Sequence, residues 1–296
     1  MRYDDFRRSD NIEDRRDDGP TMGGGGFSMG SGGGIGIGTL IIVGLISWAL
    51  GVDPRLIIGG LEMVQGPPTQ QTQAPGPARQ AGTPQDQQGQ FVAAILGESE
   101  DRWTELFQEA GRQYRKPRLV MFARATQSAC GFAQSAMGPF YCPNDQRVYL
   151  DTSFFDDLER RFRGCSGQAC RFSQAYVITH EIGHHVQNLL GILPRVQQAQ
   201  RSMGEREKNA AQVRVELQAD CFAGLWASRS QAKWKFMEPG DLEAALQTAS
   251  AIGDDRLQKR TLGMVVPDAF THGSSAQRMQ AFQMGLKGKS IQDCPL

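Results

Sequence analysis

The sequence predicts an α+β fold, mostly helical with a small sheet, preceded by one transmembrane helix. Three observations carry that reading. Apolar residues recur at helical spacing through the second half of the chain. Few short stretches have strand character. An uncharged apolar run near the N-terminus is flanked by segments with no apolar pattern. With 296 residues there is room for one sizeable domain plus appendages. The formal net charge of zero gives no electrostatic basis for a nucleic-acid partner.

Residues 1–34 come first. Their opening stretch crowds Asp and Arg, and residues 22–34 are almost all Gly with Met, Phe and Ser, so the whole segment reads as disordered. Ile35 to Val52 is apolar and uncharged, just long enough to span a bilayer, and its glycines are tolerated in membrane helices. A core helix fits less well, because the flanking segments leave it no core to join. Ala49-Leu50-Gly51 resembles a signal-peptide cleavage site, but the segment before it is too long and too acidic for a usual leader. Arg2, Arg7, Arg8, Arg15 and Arg16 precede the run and only Arg55 closely follows. That bias predicts a single-pass inner-membrane protein, with residues 1–34 cytoplasmic and the folded domain periplasmic.

Residues 53–89 are rich in Gln, Pro, Gly and Thr and read as a spacer. The folded domain is expected over residues 90–296. It should open with a helix from Phe91 to about Ala110, followed by strands at Leu119–Ala123 and Val148–Asp151. A helix near Phe154–Phe162 comes next, then an apolar helix through residues 175–190 and a long polar-faced helix containing Glu216. Helices around Asp241–Ala251 and Ser274–Leu286 close the chain. The strand at Arg147–Asp151 is a candidate edge strand for pairing with an extended peptide, or an ordinary core strand.

The apolar helix carries His180-Glu181-Ile182-Gly183-His184, an HExxH pattern, in a chain with only four histidines. Residues four apart lie on one helical face about one turn apart, so two imidazoles can reach one ion. Glu181 can then reach a water on that ion rather than the ion itself, which is the arrangement of a zinc hydrolase. Ser173 is the expected N-cap, and Gly191 and Pro194 are stop signals. A core helix that merely carries these groups would bury several polar side chains, which is costly unless they are partnered.

A catalytic zinc site usually has three protein ligands. The spacing HExxHxxGxxH is absent, so a carboxylate is the better third ligand. Glu216 and Asp220 lie four apart among Val215, Leu217, Ala219, Phe222 and Ala223. Glu216 can bind the metal while Asp220 accepts the free N–H of a ligating histidine. The alternative is a solvated acidic face.

The stretches AYVITHEIGHHVQNLLGI, RVELQADCFAGLW, GPFYCPNDQRVYLD and FTHGSSAQR together resemble the bacterial neutral zinc metallopeptidases of the YpfJ-like family. The resemblance implies a membrane-tethered, gluzincin-like, zincin-type metallopeptidase domain. Its zinc ligands would be His180, His184 and Glu216, its base Glu181 and its substrate a peptide. The ExxAD arrangement is also similar to that of the membrane CAAX-type endopeptidases. There a His/Arg pair follows the ExxAD helix and faces the oxyanion, which makes His272 and Arg278 candidates for that role. The alternative is a capping histidine and a surface arginine.

All six cysteines follow the apolar run, which suggests disulfides in an oxidising compartment. Proximity favours Cys130–Cys142 and Cys165–Cys170, leaving Cys221–Cys294. A metal-ligand role for Cys221 is weak, because it lies about 100° round the helix from Asp220. The expected function is therefore a membrane-anchored zinc peptidase with Glu181 as general base. The competing readings are a retired or structural zinc-binding envelope protein and a cell-wall peptide amidohydrolase.

Overall fold

The computed structural model describes residues 1–17, 84–134, 138–160, 165 and 170–296. Among them, strand β1 (Ile12–Arg15) comes first and helix α1 (Gln87–Glu109) second. Strands β2 (Arg118–Phe122), β3 (Ala125–Ser128), β4 (Gly131–Gln134), β5 (Phe140–Cys142) and β6 (Arg147–Asp151) follow. Then come α2 (Phe154–Arg160), α3 (Cys170–Leu189), α4 (Ile192–Gln200) and α5 (Glu205–Trp234). Helices α6 (Asp241–Ala251), α7 (Asp254–Leu262) and α8 (Ser275–Lys287) complete the domain. The fold is α+β and mostly helical, as the spacing of apolar residues predicts.

The main sheet runs β1-β2-β6-β5, with β1, β2 and β6 parallel and β5 antiparallel to β6. Strands β3 and β4 form a separate hairpin. Strand β6 is therefore internal, which corrects its reading as an edge strand. Its residues Val148 to Asp151 are all buried, a pattern that suits a central strand. The edge beside β6 belongs to β5, a three-residue segment too short to stand out by periodicity.

The expectation of a disordered segment over residues 1–34 is corrected for residues 1–17, while residues 18–34 lie outside the described residues. Ile12 pairs in register with Leu119 and Arg15 with Phe122, so the chain start supplies the outer strand of the sheet. Phe6 packs on the Trp234 and Phe236 rings, and Tyr3 meets Phe91 edge-to-face. Arg7 reaches Glu100 and Asp101 from α1. The crowded charges misled because composition counts them as unpaired, whereas the rest of the fold supplies their partners.

Among the described residues no helix is long and apolar enough to cross a membrane, and the expected span at 35–52 lies outside them. The spacer expected to residue 89 ends earlier: Asp86 caps α1, its side chain accepting from the Gly89 N–H.

Helix α3 packs against β5 and β6 as well as α1, α5 and α6. It begins at Cys170 rather than beyond Ser173, which lies buried inside it, so Ser173 is not the N-cap. Gly191 ends it in the left-handed conformation, φ 73°, as the stop signal predicts. Helices α5 and α8 cross in backbone contact: a Cβ on Gly224 would sit 2.1 Å from the Phe282 carbonyl oxygen, and one on Gly285 only 1.9 Å from that of Cys221. The disulfides are Cys130–Cys142, Cys165–Cys170 and Cys221–Cys294, the pairing favoured by proximity.

Candidate metal centre and active site

Helices α3 and α5 place three donors together. His180 and His184 project from one face of α3, and Glu216 faces them from α5. Glu216 Oε2 lies 3.2 Å from His180 Nε2 and 3.5 Å from His184 Nε2. One donor atom from each of the three residues falls within 4.8 Å of the others. Two donors about 2.0–2.1 Å from one tetrahedral zinc ion sit roughly 3.3 Å apart, so the spacing and chemistry of this donor set fit zinc. The helices can approach this closely because α3 presents Gly183 to α5: a Cβ there would lie 3.0 Å from the Ala219 carbonyl oxygen.

Each donor has its own outer partner. His180 Nδ1 lies 2.8 Å from Asp220 Oδ1, which leaves Nε2 as the ligating atom. His184 Nδ1 is held 2.9 Å from Gln187 Oε1. Gln187 in turn donates to the Val215 carbonyl and to Gln218 Oε1, and Gln218 donates to the Cys294 carbonyl. Gln212 donates to Glu216 Oε1 at 2.8 Å. Gln187, Gln212 and Gln218 were missed by sequence reasoning. For Gln187 and Gln212 the available signal was their spacing from His184 and Glu216, three and four residues within a helix. Gln218 had no such signal, since its partners are Gln187 and the Cys294 carbonyl.

Asp220 is fully buried and accepts from the Tyr176 hydroxyl as well as from both Nε and Nη2 of Arg278. Burial opposes its ionisation, but the Arg278 guanidinium and His180 hold its carboxyl well below the usual range. Arg278 also donates to the Ile252 carbonyl from Nη1 and to the Tyr176 hydroxyl from Nη2. It is 3% exposed, which corrects the alternative of a surface arginine. Its place is behind Asp220, reached through the close α5–α8 crossing.

His272 is separate from Arg278. Its side chain is 52% exposed, and Asp254 braces it from the start of α7. Asp254 Oδ2 accepts from the backbone N–H groups of Thr271, His272 and Gly273 at 2.7, 2.6 and 3.0 Å, while Oδ1 lies 3.3 Å from His272 Nδ1. The half of the ring that is covered opposes protonation, but the Asp254 contact and the charge of Glu216 outweigh this, and the net shift is upward. Asp254 carried no sequence signal, since its partners lie across a loop. The fourth histidine, His185, turns away: its Nδ1 meets the Tyr141 hydroxyl at 3.0 Å and its Nε2 the Arg115 carbonyl at 2.6 Å. Tyr141 also accepts from Asn188, so β5 is clamped to the HExxH helix.

Glu181 is buried beside the three donors. Burial pushes its carboxyl up, and the imidazoles of His180 and His184 only partly offset this. Burial also opposes ionisation of Glu216, yet the imidazoles of His184 and His180 hold that carboxyl well below its ordinary value. Two neighbouring carboxyl groups are thus driven apart. Val213 and Leu217 of α5, with Phe270 and Ser274 from the segment before α8, line a cavity of about 440 Å³, which Arg206 and Arg214 also line.

Two histidines from HExxH, a glutamate from a second helix and a separate buried glutamate are the hallmarks of the HExxH metal-site class. The comparisons narrow this. The family model described as "Putative neutral zinc metallopeptidase" matches residues 1–295, and the chain belongs to that family. It is 46% identical over 297 residues to "Uncharacterized protein YpfJ" of Escherichia coli (strain K12), covering 99% of this chain and 98% of that one. It is 42% identical over 181 residues to "Uncharacterized protein Rv2575" of Mycobacterium tuberculosis (strain ATCC 25618 / H37Rv), covering 58% and 59% of the two chains. No solved structure matches the chain.

Proposed function

We propose that this chain is an exported zinc-dependent peptidase that hydrolyses peptide bonds with Glu181 as general base. One observation carries the proposal: among the described residues three protein donors converge rather than four, beside a buried carboxyl that belongs to none of them. Structural zinc sites close with four protein ligands, whereas catalytic sites keep a position open. A zinc ion held by His180, His184 and Glu216 would supply a Lewis acid for the scissile carbonyl and acidify water beside it.

The chain's own groups do the rest. Asp220, Gln187 and Gln212 fix the three donors, so that little rearrangement is needed during reaction. Glu181 takes the proton of the attacking water on a carboxylate oxygen and returns it to the leaving amine nitrogen. Its upward shift favours both transfers, because a general base works best with a pKa near the operating pH. His272, with Nδ1 turned to Asp254, would donate from Nε2 to the developing oxyanion in its protonated form, which its upward pKa shift favours. Strand β5, held on the HExxH helix through Tyr141, offers its backbone to an extended substrate. The cavity lined by Val213, Leu217 and Phe270 would take an apolar side chain of that substrate. Three disulfides support an oxidising compartment and hence export.

The test is digestion of a mixed peptide library by the zinc-loaded full chain, with Glu181→Gln as control. The full chain is needed because β1 is part of the sheet. Cuts made by the wild type and lost in the zinc-retaining variant are expected. Equal cutting by both would remove Glu181 from the base role, and no cutting by a folded, zinc-loaded wild type would overturn the proposal.

A further inference from the structure

We propose that residues 1–17 and the peptidase-like domain, the two flanks of the segment between Asp17 and Pro84, lie on the same side of the membrane. This is independent of any catalytic activity. It follows from where the two flanks of that segment meet.

Strand β1 pairs along its whole length with β2, from Ile12↔Leu119 to Arg15↔Phe122. A hydrogen-bonded ladder cannot form across a bilayer, because its two strands must lie about 5 Å apart. The anchorage extends beyond the strand. Ile12 and Phe6 are buried in the main core, and the Ser9 N–H donates to the Ala93 carbonyl of α1. Ser9 Oγ and Asn11 Nδ2 both donate to the buried carboxylate of Glu100, each at 2.7 Å. A single crossing would strip β1 from the sheet and leave β2 as a bare edge.

The basic residues that suggested a cytoplasmic N-terminus have another explanation. Arg2 donates to the Lys235 carbonyl, Arg7 pairs with Glu100 and Asp101, and Arg8 donates to the carbonyls of Tyr3 and Asp4. Arg15 binds Glu13 and Thr126, and Arg16 bridges Asp14 and Asp86. These five arginines build the fold, so their number carries no weight as a topology signal. The disulfides sit in the same body and place residues 1–17 in the same compartment as themselves.

The experiment uses the full chain in spheroplasts of an expression host, with one cysteine introduced at a time: Asp5→Cys or Asp10→Cys at the chain start, and Glu243→Cys on α6. All three native residues are exposed. A membrane-impermeant maleimide is applied before and after lysis. The expected result is one protection pattern for all three positions. Labelling of all three in intact spheroplasts would support the proposal together with export. Labelling of all three only after lysis would support it while placing the domain in the cytoplasm. Opposite accessibility of Asp5→Cys and Asp10→Cys relative to Glu243→Cys would overturn it.

Discussion

The ion pair between Asp220 and Arg278 lies directly behind a metal donor, and separating its two duties is the sharpest check on the site. Asp220 is 0% exposed and Arg278 3%. Replacing one partner of such a pair leaves the other charge buried alone, at a cost of about 3–5 kcal/mol. Asp220→Asn and Arg278→Met should therefore each destabilise the metal-free chain by that amount. If the two charges chiefly serve each other, removing both together should also cost about 3–5 kcal/mol, not the roughly 6–10 kcal/mol of simple addition. Zinc affinity should behave differently. Asp220 orients His180 through Nδ1, and loss of such a partner typically weakens binding about 10–100-fold. Because the amide remains opposite His180, the double variant should regain stability relative to addition but not affinity. Urea unfolding of the metal-free protein gives the first quantity, since bound metal would add its own linkage. Chelator competition gives the second. Additive destabilisation would refute the assignment of Arg278 to Asp220, and full zinc affinity in Asp220→Asn would refute the orienting role.

Other outcomes follow from single contacts. Glu216→Ala should remove most bound zinc, and unchanged stoichiometry by metal analysis would move the third ligand elsewhere. Asp254→Asn should lower the His272 pKa in the metal-free chain, because Asp254 raises it together with Glu216; an unchanged NMR titration would detach His272 from Asp254. Burial lowers the His185 imidazole to about 4, so the folded state holds it neutral. Its contribution to stability is present above the unfolded value near 6.5 and is lost as pH falls towards 4, reaching about 3 kcal/mol at about 1.4 kcal/mol per unit. Titration of His185 near 6.5 in the native protein would contradict this. Cys294→Ser frees the C-terminus that anchors Gln218 and, through Gln187, His184; zinc should bind several-fold more weakly, whereas unchanged affinity in a chelator titration would isolate the disulfide from the site.

Much of the site was legible because it is local in sequence. His180 and His184 declare themselves by helical spacing, and Glu216 with Asp220 by the same rule on a second helix. Helices α1, α6 and α8 were legible too, from apolar periodicity, although the Ser274 side chain that caps α8 by accepting from the Gln277 N–H was not singled out. What escaped depends on distant partners. Strand β1 is four residues of which three are charged, and only β2 and partners such as Arg147, which reaches Glu13 from β6, make it structure. Arg278 was assigned outward because nothing in its neighbourhood reveals that α8 crosses α5 in backbone contact. Asp254 is an ordinary helix-start acid until the loop at Thr271–Gly273 closes over it.

The close crossing of α3 with α5 at Gly183, and of α5 with α8 at Gly224 and Gly285, limits how this protein can be engineered. Exchanging helical glycine for alanine is a standard route to a more heat-resistant enzyme, gaining about 0.4–1 kcal/mol where the backbone is compatible. Here the same exchange at Gly224 or Gly285 would drive a methyl group into a carbonyl about 2 Å away, and at Gly183 it would wedge apart the helices that carry the metal donors. A thermostabilisation campaign should leave these three positions untouched and look to Gly204, the N-cap of α5, where Ser or Asp would add a side-chain cap in open space.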